Sequence, residues 1–137
     1  MRGTKASFFD TNVLLYLLSG DEVKADRAEA VVSQGGVISI QVLNEFVSIG
    51  VRKLGMSYAE IRDVLTPIRL ICRIEPLSLE THDLGVQVAE RYGFSMYDAL
   101  TVASALLAGC DVLYTEDLQN GQLIEERLEV RNPFAAS

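Results

Sequence analysis

The chain has 137 residues and a formal net charge of −7, from 19 acidic and 12 basic side chains. This length suits one ordinary domain that buries roughly two thirds of its unfolded surface, so we expect a single domain over residues 1–137. An apolar content of 49% and the lack of Pro/Ser-rich or charge-block tracts exclude a disordered or fibrous chain. The negative charge argues against a general polyanion-binding surface, because long-range repulsion slows the encounter with nucleic acid.

Nothing in the sequence predicts export or membrane insertion. The first residues lack the uninterrupted apolar segment and the small-residue cleavage site of a signal peptide, and no apolar run approaches the ~20 residues of a membrane span. We therefore expect a cytoplasmic protein with no membrane partner. Cys72 and Cys110 lie far apart in apolar contexts, without CxxC or histidine spacing, which favours buried reduced thiols over a disulfide or a metal role.

Short apolar runs alternate with longer segments of helical periodicity in the first half of the chain. Glycine ends three of the longer segments, at Gly20, Gly35 and Gly55. The predicted elements are a strand over 6–9, a short helix over 13–20, a helix over 21–34, a strand over 37–40 and a helix over 41–55.

Two capping-box patterns mark helix starts in the second half, at Ser57 and Ser95, each with an acid three positions later. The predicted elements are a helix from 57 to about 69, a strand over 70–77, a helix over 78–92, a nearly all-apolar helix over 98–109, a strand over 111–114, a turn over 115–121 and a short strand over 128–132.

Strands that alternate with helices, each strand a short continuous apolar run, are typical of a parallel sheet covered on both faces. The predicted fold class is therefore α/β, with three α/β/α layers and a central, mainly parallel sheet. Ligands of such sheets bind beyond the carboxyl ends of the strands. Asp10 directly follows the first predicted strand, and Asp117 closely follows the strand over 111–114.

Four acids occupy positions that suggest a functional role, and each of them also has a purely structural explanation. Asp10 could cap the helix that follows it, and Glu45 could be a solvated acid at the shoulder of an apolar helix face. Asp98 fits the acidic position of its capping box, and Asp117 could be a turn residue. Taken together, however, these acids can converge on one edge of the sheet.

Converging carboxylates repel one another, and the low dielectric of a cleft makes that repulsion costly. A divalent cation relieves it. Oxygen ligands suit Mg²⁺ or Mn²⁺, whereas no Cys/His set favours zinc. Mg²⁺ held by carboxylates is suited to phosphoryl chemistry, because it lowers the pKa of a bound water and stabilises the leaving oxygen. It would also give an acidic protein the positive charge needed to accept a phosphodiester.

Several segments together resemble the PIN domain, most closely the VapC-type toxins of bacterial toxin–antitoxin pairs. They are FFDTNVLLYLL at 8–18, NEF at 44–46, YDALTVASAL at 97–106 and LYTEDLQNG at 113–121, and the closing VRNPF is similar to the end of one VapC-like branch. The resemblance covers nearly the whole chain. It implies an endoribonuclease that depends on Mg²⁺ or Mn²⁺ and has a three-layer α/β/α fold.

The resemblance also implies roles for individual residues. Asn12 and Thr115 match polar positions that orient the ligating carboxylates. Glu116 is not expected to be a primary ligand, because in an extended segment it points away from its neighbour Asp117. The residues that match the acidic metal-binding and catalytic set are Asp10, Glu45, Asp98 and Asp117, with Asp10 and Asp98 expected to hold the principal metal ion.

VapC-like proteins are usually homodimers, inhibited by a cognate antitoxin whose C-terminal segment occupies a groove near the active site. The resemblance thus implies an RNA substrate, an antitoxin and a homodimer as partners. The helices over 22–33 and 57–69 offer apolar side chains for such contacts, unless those side chains belong to the core. The bases that could contact RNA phosphates are Arg52 and Lys53, with Arg62 and Arg69 on the next helix; the alternative is that they solvate helix surfaces.

The acidic pattern has three alternative interpretations. Haloacid-dehalogenase-like phosphatases need a second acid two positions after the first, where this chain has Asn12, and a lysine further on that is not evident. A phosphoreceiver domain expects paired acids after its first strand and a lysine after its last, and neither is present. A PIN-like module that binds RNA or a partner without cutting is the alternative to the enzyme.

Overall fold

Twelve helices and strands follow one another along residues 6–135, the part of the chain that this computed structural model describes. The strands are β1 (Ser7–Phe9), β2 (Gly36–Ser39), β3 (Cys72–Glu75), β4 (Val112–Tyr114), β5 (Leu123–Ile124) and β6 (Leu128–Arg131). The helices are α1 (Thr11–Tyr16), α2 (Glu22–Val32), α3 (Ile40–Arg52), α4 (Tyr58–Ile71), α5 (Leu79–Tyr92) and α6 (Met96–Leu107).

The strands form one sheet in the order β3-β2-β1-β4-β6-β5. Neighbouring strands are parallel except for β5 and β6, which form a short antiparallel pair at the edge. The chain moves from β1 to β2 to β3 and then returns to β4 on the other side of β1. Right-handed crossovers therefore place α1 to α4 on one face and α5 and α6 on the other. The predicted α/β class, with a mainly parallel sheet between helices, is confirmed.

Apolar side chains from the central strands and from α6 form the core. Phe8 of β1 pairs with Val37 of β2 and Leu113 of β4, and all three are buried. Helix α5 approaches α6 closely at Gly85, where a Cβ atom would lie 2.9 Å from the Leu100 Cδ2, so a larger residue here would displace the Leu100 side chain. No helix among the described residues is long and apolar enough to cross a membrane.

Polar side chains begin the helices that follow strands β1 and β2. Asp10 accepts a hydrogen bond from the Thr11 N–H at the start of α1, and Ser39 accepts one from the Val42 N–H at the start of α3. Each of these caps is also the residue at or just after the end of a strand. The first turns of α1 and α3 therefore begin at the carboxyl edge of the sheet, where the fold class places ligands.

The structure differs from the sequence prediction in three main respects. The strand expected over 70–77 starts only at Cys72, because α4 continues through Ile71; Leu70 is 82% exposed, so its apolar side chain does not belong to a buried strand. Helix α1 ends at Tyr16 and gives way to turns before Gly20. Strand β5 was not predicted, because two residues are too short to show a periodic pattern.

Both cysteines are buried free thiols, as the sequence predicted. Cys72 begins β3 and is 6% exposed, and Cys110 precedes β4 and is fully buried. Burial raises the pKa of each thiol from 9.0 to about 11, because a thiolate loses its hydration in the core.

We expect both thiols to resist alkylation in the folded protein. At pH 8 the raised pKa lowers the thiolate fraction by roughly 100-fold relative to an unfolded chain, and thiolate is the reacting species. Iodoacetamide labelling followed by mass spectrometry, in buffer and in guanidinium chloride, measures this difference. Native labelling at the rate of the unfolded chain would contradict the burial of both residues.

Candidate active site

The carboxyl ends of β1 and β4 bring the first elements of the site together. Phe9 pairs with Tyr114, their rings stack with centroids 5.9 Å apart, and the Asp10 N–H continues the pairing with a 3.0 Å hydrogen bond to the Tyr114 carbonyl. The next residue of the β4 segment is Thr115. Asp10 and Thr115 are therefore held side by side by backbone pairing, although 105 positions separate them.

Asp10 lies in a hydrogen-bonded and largely buried position. One carboxylate oxygen accepts from the Thr11 N–H at 2.8 Å, and the other accepts from the Thr115 hydroxyl at 2.8 Å. Burial raises the pKa of Asp10 from 3.8 to about 6; these two hydrogen bonds oppose the rise, and the negative charges of Asp117 and Glu45 add to it. Asp10 is thus both the cap of α1 and an acid within the electrostatic field of two others.

Asn12 connects the two strand-end acids. Its amide nitrogen lies 3.0 Å from an Asp117 carboxylate oxygen, 3.2 Å from the Thr115 hydroxyl and 3.4 Å from Asp10. The Thr115 hydroxyl in turn accepts from the Asp117 N–H at 3.0 Å. Asn12 thus contacts both carboxylates, and Thr115 contacts the Asp10 carboxylate and the Asp117 backbone. Their role in orienting metal ligands stays a prediction.

Glu45 reaches the same edge from the second turn of α3. It is half-buried, and its carboxylate accepts from the Thr11 hydroxyl and from the Gln41 side-chain amide, both at 3.3 Å. Sequence analysis did not single out Thr11 or Gln41. The available signal was slight: Gln41 lies one helical turn before Glu45, and Thr11 directly follows Asp10.

Asp98 enters from the opposite helical layer, in the first turn of α6. The Ser95 hydroxyl caps this helix by accepting from the Asp98 N–H at 3.2 Å. Partial burial raises the pKa of Asp98; a hydrogen bond with Ser95 opposes the rise, and the charge of Asp117 adds to it. The charge of Asp117 therefore adds to the raised pKa of both Asp10 and Asp98.

Glu116 points away from these acids. Its carboxylate accepts a 2.9 Å hydrogen bond from the Tyr16 hydroxyl, and both residues line a mostly apolar groove of about 350 Å³. The other residues that line this groove are Asn12, Leu15, Leu18, Ser19, Ile49, Lys53 and Leu54. The groove thus begins at Asn12, beside the acids, and runs between α1 and the end of α3.

The basic residues predicted to bind RNA lie in different positions relative to the groove and the acids. Lys53 lines the groove, whereas Arg52 is exposed and its guanidinium donates to Ser48, one turn back on α3, at 3.0 Å. Arg62 is exposed on α4. Arg69 lies within a turn of the start of β3, at the amino ends of the strands, which is the edge opposite the acids.

The four acids supply carboxylate oxygens, the ligand type that a divalent cation such as Mg²⁺ prefers. Among residues 6–135, no group of three or more Asp, Glu, His or Cys side chains is gathered closely enough to hold a metal ion as these side chains stand. Mg²⁺, however, commonly takes one or two carboxylates and keeps several waters. Burial is the main cause of the raised pKa of Asp10, and the charges of Asp117 and Glu45 add to it; the ion pairs described for this part of the chain include none of the four acids. The residues therefore fit a hydrated divalent cation.

The fold and the acids at one edge of the sheet together define the class of protein: a three-layer α/β protein with an acidic site at the carboxyl ends of its parallel strands. Residues 7–120 match the PIN domain family, and the chain belongs to that family. No curated protein matches the chain in sequence.

Three solved structures share the fold. One is a toxin–antitoxin complex from Klebsiella pneumoniae, 22% identical, covering 96% of this chain and 100% of that chain with a TM-score of 0.72. Another is VapC20 from Mycobacterium tuberculosis, described as a sarcin–ricin loop cleaving toxin, 19% identical over 82% of this chain and 90% of that one, TM-score 0.65. The third is FitAcB from Neisseria gonorrhoeae, 19% identical over 95% and 99%, TM-score 0.66. At these identities the likeness shows the fold.

We predict that Asp10 makes the metal-free protein less stable as the pH rises. Its pKa is about 6 in the folded state against 3.8 ordinarily, so between about pH 4 and 6 the folded state binds more protons than the unfolded state, and stability falls as the pH increases. Asp10→Asn removes this ionisation. In EDTA, the free energy of unfolding of the wild type minus that of the variant should drop by about 1 kcal/mol from pH 5 to pH 7.

Urea unfolding of both proteins at the two pH values measures this difference. A difference that stays constant or grows with pH would show that the Asp10 carboxylate is not held in an environment that disfavours its charge.

Proposed function

We propose that this PIN domain is an endoribonuclease that depends on Mg²⁺ or Mn²⁺ and hydrolyses RNA phosphodiester bonds, as the toxin of a toxin–antitoxin pair. The observation that carries the proposal is the position of Asp10: a buried carboxylate with a raised pKa, at the carboxyl edge of a parallel sheet, with Glu45 approaching from one helical layer and Asp98 from the other. The description of VapC20 as an RNA-cleaving toxin with the same fold supports the reaction class.

In the proposed mechanism, Asp10 and Asp98 hold the principal metal ion, and Glu45 and Asp117 complete the site or orient the attacking water. A bound divalent ion would supply a water of lowered pKa and offset the charge of the scissile phosphate. The protein holds the geometry. Thr115 and the Thr11 N–H fix the two Asp10 oxygens, and Asn12 fixes Asp117.

Glu45 is suited to accept the proton of the attacking water. Its Oε1 is held by Thr11 and Gln41, and neither of these two donors contacts its other oxygen. Because Thr11 also supplies the N–H that binds Asp10, the two acids are linked through one residue. Loss of the Thr11 hydroxyl would leave Glu45 held by Gln41 alone, while the backbone hydrogen bond to Asp10 stays in place.

The partners are proposed on the same basis. Relatives with this fold were crystallised in toxin–antitoxin complexes, and the groove beside Asn12 offers an apolar surface for one segment of a cognate antitoxin. A segment seated there would cover Lys53 and so exclude RNA from the same surface. A homodimer and a cytoplasmic location complete the proposal. The exposed apolar side chains at the end of α4, Leu70 and Ile71, offer a surface for pairing.

We expect Asp10→Asn to lose metal-dependent RNA cleavage while keeping its fold. The loss should exceed the ~10- to 100-fold that follows removal of an outer hydrogen-bond partner of a metal ligand. Asp21→Asn is the matched control, because Asp21 also caps a helix, α2, by accepting from backbone N–H groups, but its described hydrogen bonds involve none of the four acids. Cleavage of a labelled single-stranded RNA in Mg²⁺ or Mn²⁺, with circular dichroism of each variant, measures both properties.

Wild-type cleavage by the Asp10→Asn variant would refute the assignment. RNA binding by the wild type without metal-dependent products would instead favour the alternative, a PIN-like module that binds RNA or a partner without cutting it.

Lys53 lines the groove that begins beside the acids, and we expect it to contact an RNA phosphate. Lys53→Ala should raise the KM for RNA several-fold with little change in kcat, and should lower the slope of log affinity against log salt by about one. Arg69→Ala, at the opposite edge of the sheet, removes the same charge and serves as control. Equal effects of the two variants would mean that only net charge matters.

A further inference from the structure

Tyr16 and Glu116 form a contact that the proposed mechanism does not use. Tyr16 is the last residue of α1, and its hydroxyl donates to the Glu116 carboxylate at 2.9 Å. The Tyr16 ring is held from two sides: the Phe134 ring lies 4.2 Å away between centroids, and the Lys24 ammonium lies 5.1 Å from the ring centroid. The hydroxyl therefore has a fixed position along the groove.

Glu116 connects this contact to the acids. Its backbone N–H donates to the Asn12 side-chain oxygen at 3.3 Å, and the Asn12 nitrogen then faces Asp117, 3.0 Å away. The Glu116 N–H thus determines which end of the Asn12 amide faces the acidic edge. An inverted amide would turn an oxygen towards the Asp117 carboxylate and lose both hydrogen bonds.

The Glu116 side chain also has to be kept apart from its neighbours in sequence. Glu116 lies between Thr115, which binds Asp10, and Asp117. A released Glu116 carboxylate could turn towards the acidic edge and add one more negative charge there. The Tyr16 hydroxyl holds it on the groove side, and this hydrogen bond is the principal cause of a raised Tyr16 pKa.

We propose that Tyr16 and Glu116 are a positioning pair for the metal site: their hydrogen bond fixes the 115–117 segment, and through it the Asn12 amide and the Asp117 carboxylate. This inference rests on the proposed function, since it concerns the same site. Neither residue touches the reacting atoms. Their contribution is to the affinity for the divalent cation and to kcat, and not to the binding of RNA.

The chain offers a closely matched control. Tyr92 donates to the Glu125 carboxylate, also at 2.9 Å, and accepts from the Glu125 N–H. That pair lies at the turn before β6, at the amino-end edge of the sheet and away from the acids. Tyr92→Phe therefore removes the same kind of hydrogen bond from the fold without touching the proposed site.

The experiment compares Tyr16→Phe, which keeps the ring and loses the hydroxyl, with Tyr92→Phe in the full-length protein. Calorimetric titration with Mn²⁺ gives the Kd, and cleavage of a labelled RNA gives kcat and KM. We expect Tyr16→Phe to weaken Mn²⁺ binding by roughly 10-fold, the lower end for an outer partner of a metal ligand, and to lower kcat with KM unchanged. Tyr92→Phe should leave the Kd for Mn²⁺ unchanged.

Glu116 variants test the pair from the other side. Glu116→Gln keeps an acceptor for the Tyr16 hydroxyl and should lose less Mn²⁺ affinity than Glu116→Ala. In the Tyr16→Phe background, Glu116→Ala should cause little further loss, because the hydrogen bond is already absent.

The results separate this inference from the proposed function. If Tyr16→Phe lowers the Tm but leaves the Kd for Mn²⁺ at the wild-type value, the pair is structural and the inference is overturned, whatever the wild type cleaves. If Tyr16→Phe weakens Mn²⁺ binding but the wild type cuts no RNA, the inference holds and the nuclease proposal fails. A wild-type protein that does not bind Mn²⁺ overturns both.

Discussion

Folding removes the Asp10 carboxylate from water at the point where β1 meets α1, and only 8% of the residue stays exposed. Two hydrogen bonds, from the Thr11 N–H and the Thr115 hydroxyl, hold its oxygens but do not offset the burial, so its pKa is raised to about 6. A buried charge without an opposite partner destabilises a fold, and a purely structural role would be served as well by a neutral cap. A bound divalent cation, as proposed above, would offset this buried charge.

Elements that build the fold also build the site. Pairing of Phe9 with Tyr114 sets the core of the sheet and at the same time brings Asp10 beside Thr115. The Ser95 cap begins the most deeply buried helix and places Asp98 in its first turn. Because Asp10 directly follows a strand and Glu45 and Asp98 lie in early helical turns, the rigid core positions these three carboxylates. Asp117 lies in the loop after β4.

Much of this arrangement can be predicted from sequence, because parallel strands bring their carboxyl ends to one edge wherever they occur in the chain. That rule was enough to single out Asp10 and Asp117. Glu45 and Asp98 were candidates from their helix positions, and the resemblance to PIN domains joined all four acids in one set. Local pattern does not encode which side chains meet across elements. The Thr11 contact to Glu45 depends on the packing of α1 against α3, and the Tyr16 contact to Glu116 depends on the position of the loop after β4. No spacing rule specifies either. The sequence did not distinguish Arg52 from Lys53 either: Arg52 donates to Ser48, whereas Lys53 lines the groove because α1 forms its other wall. The exposed apolar residues at the end of α4 were predicted to belong to a strand for the same reason: the sequence does not show whether an apolar side chain is buried or exposed.

The central claim is that the acidic edge binds a divalent cation through Asp10. The most direct measurement is anomalous diffraction from crystals soaked in Mn²⁺, which locates the ion without relying on activity. The account predicts an anomalous peak at metal–oxygen bonding distance, ~2.0–2.2 Å, from an Asp10 carboxylate oxygen, with Asp98 facing the same ion directly or through water. Anomalous peaks confined to other carboxylates, with the Asp10 carboxylate still bound only by Thr11, Asn12 and Thr115, would contradict it.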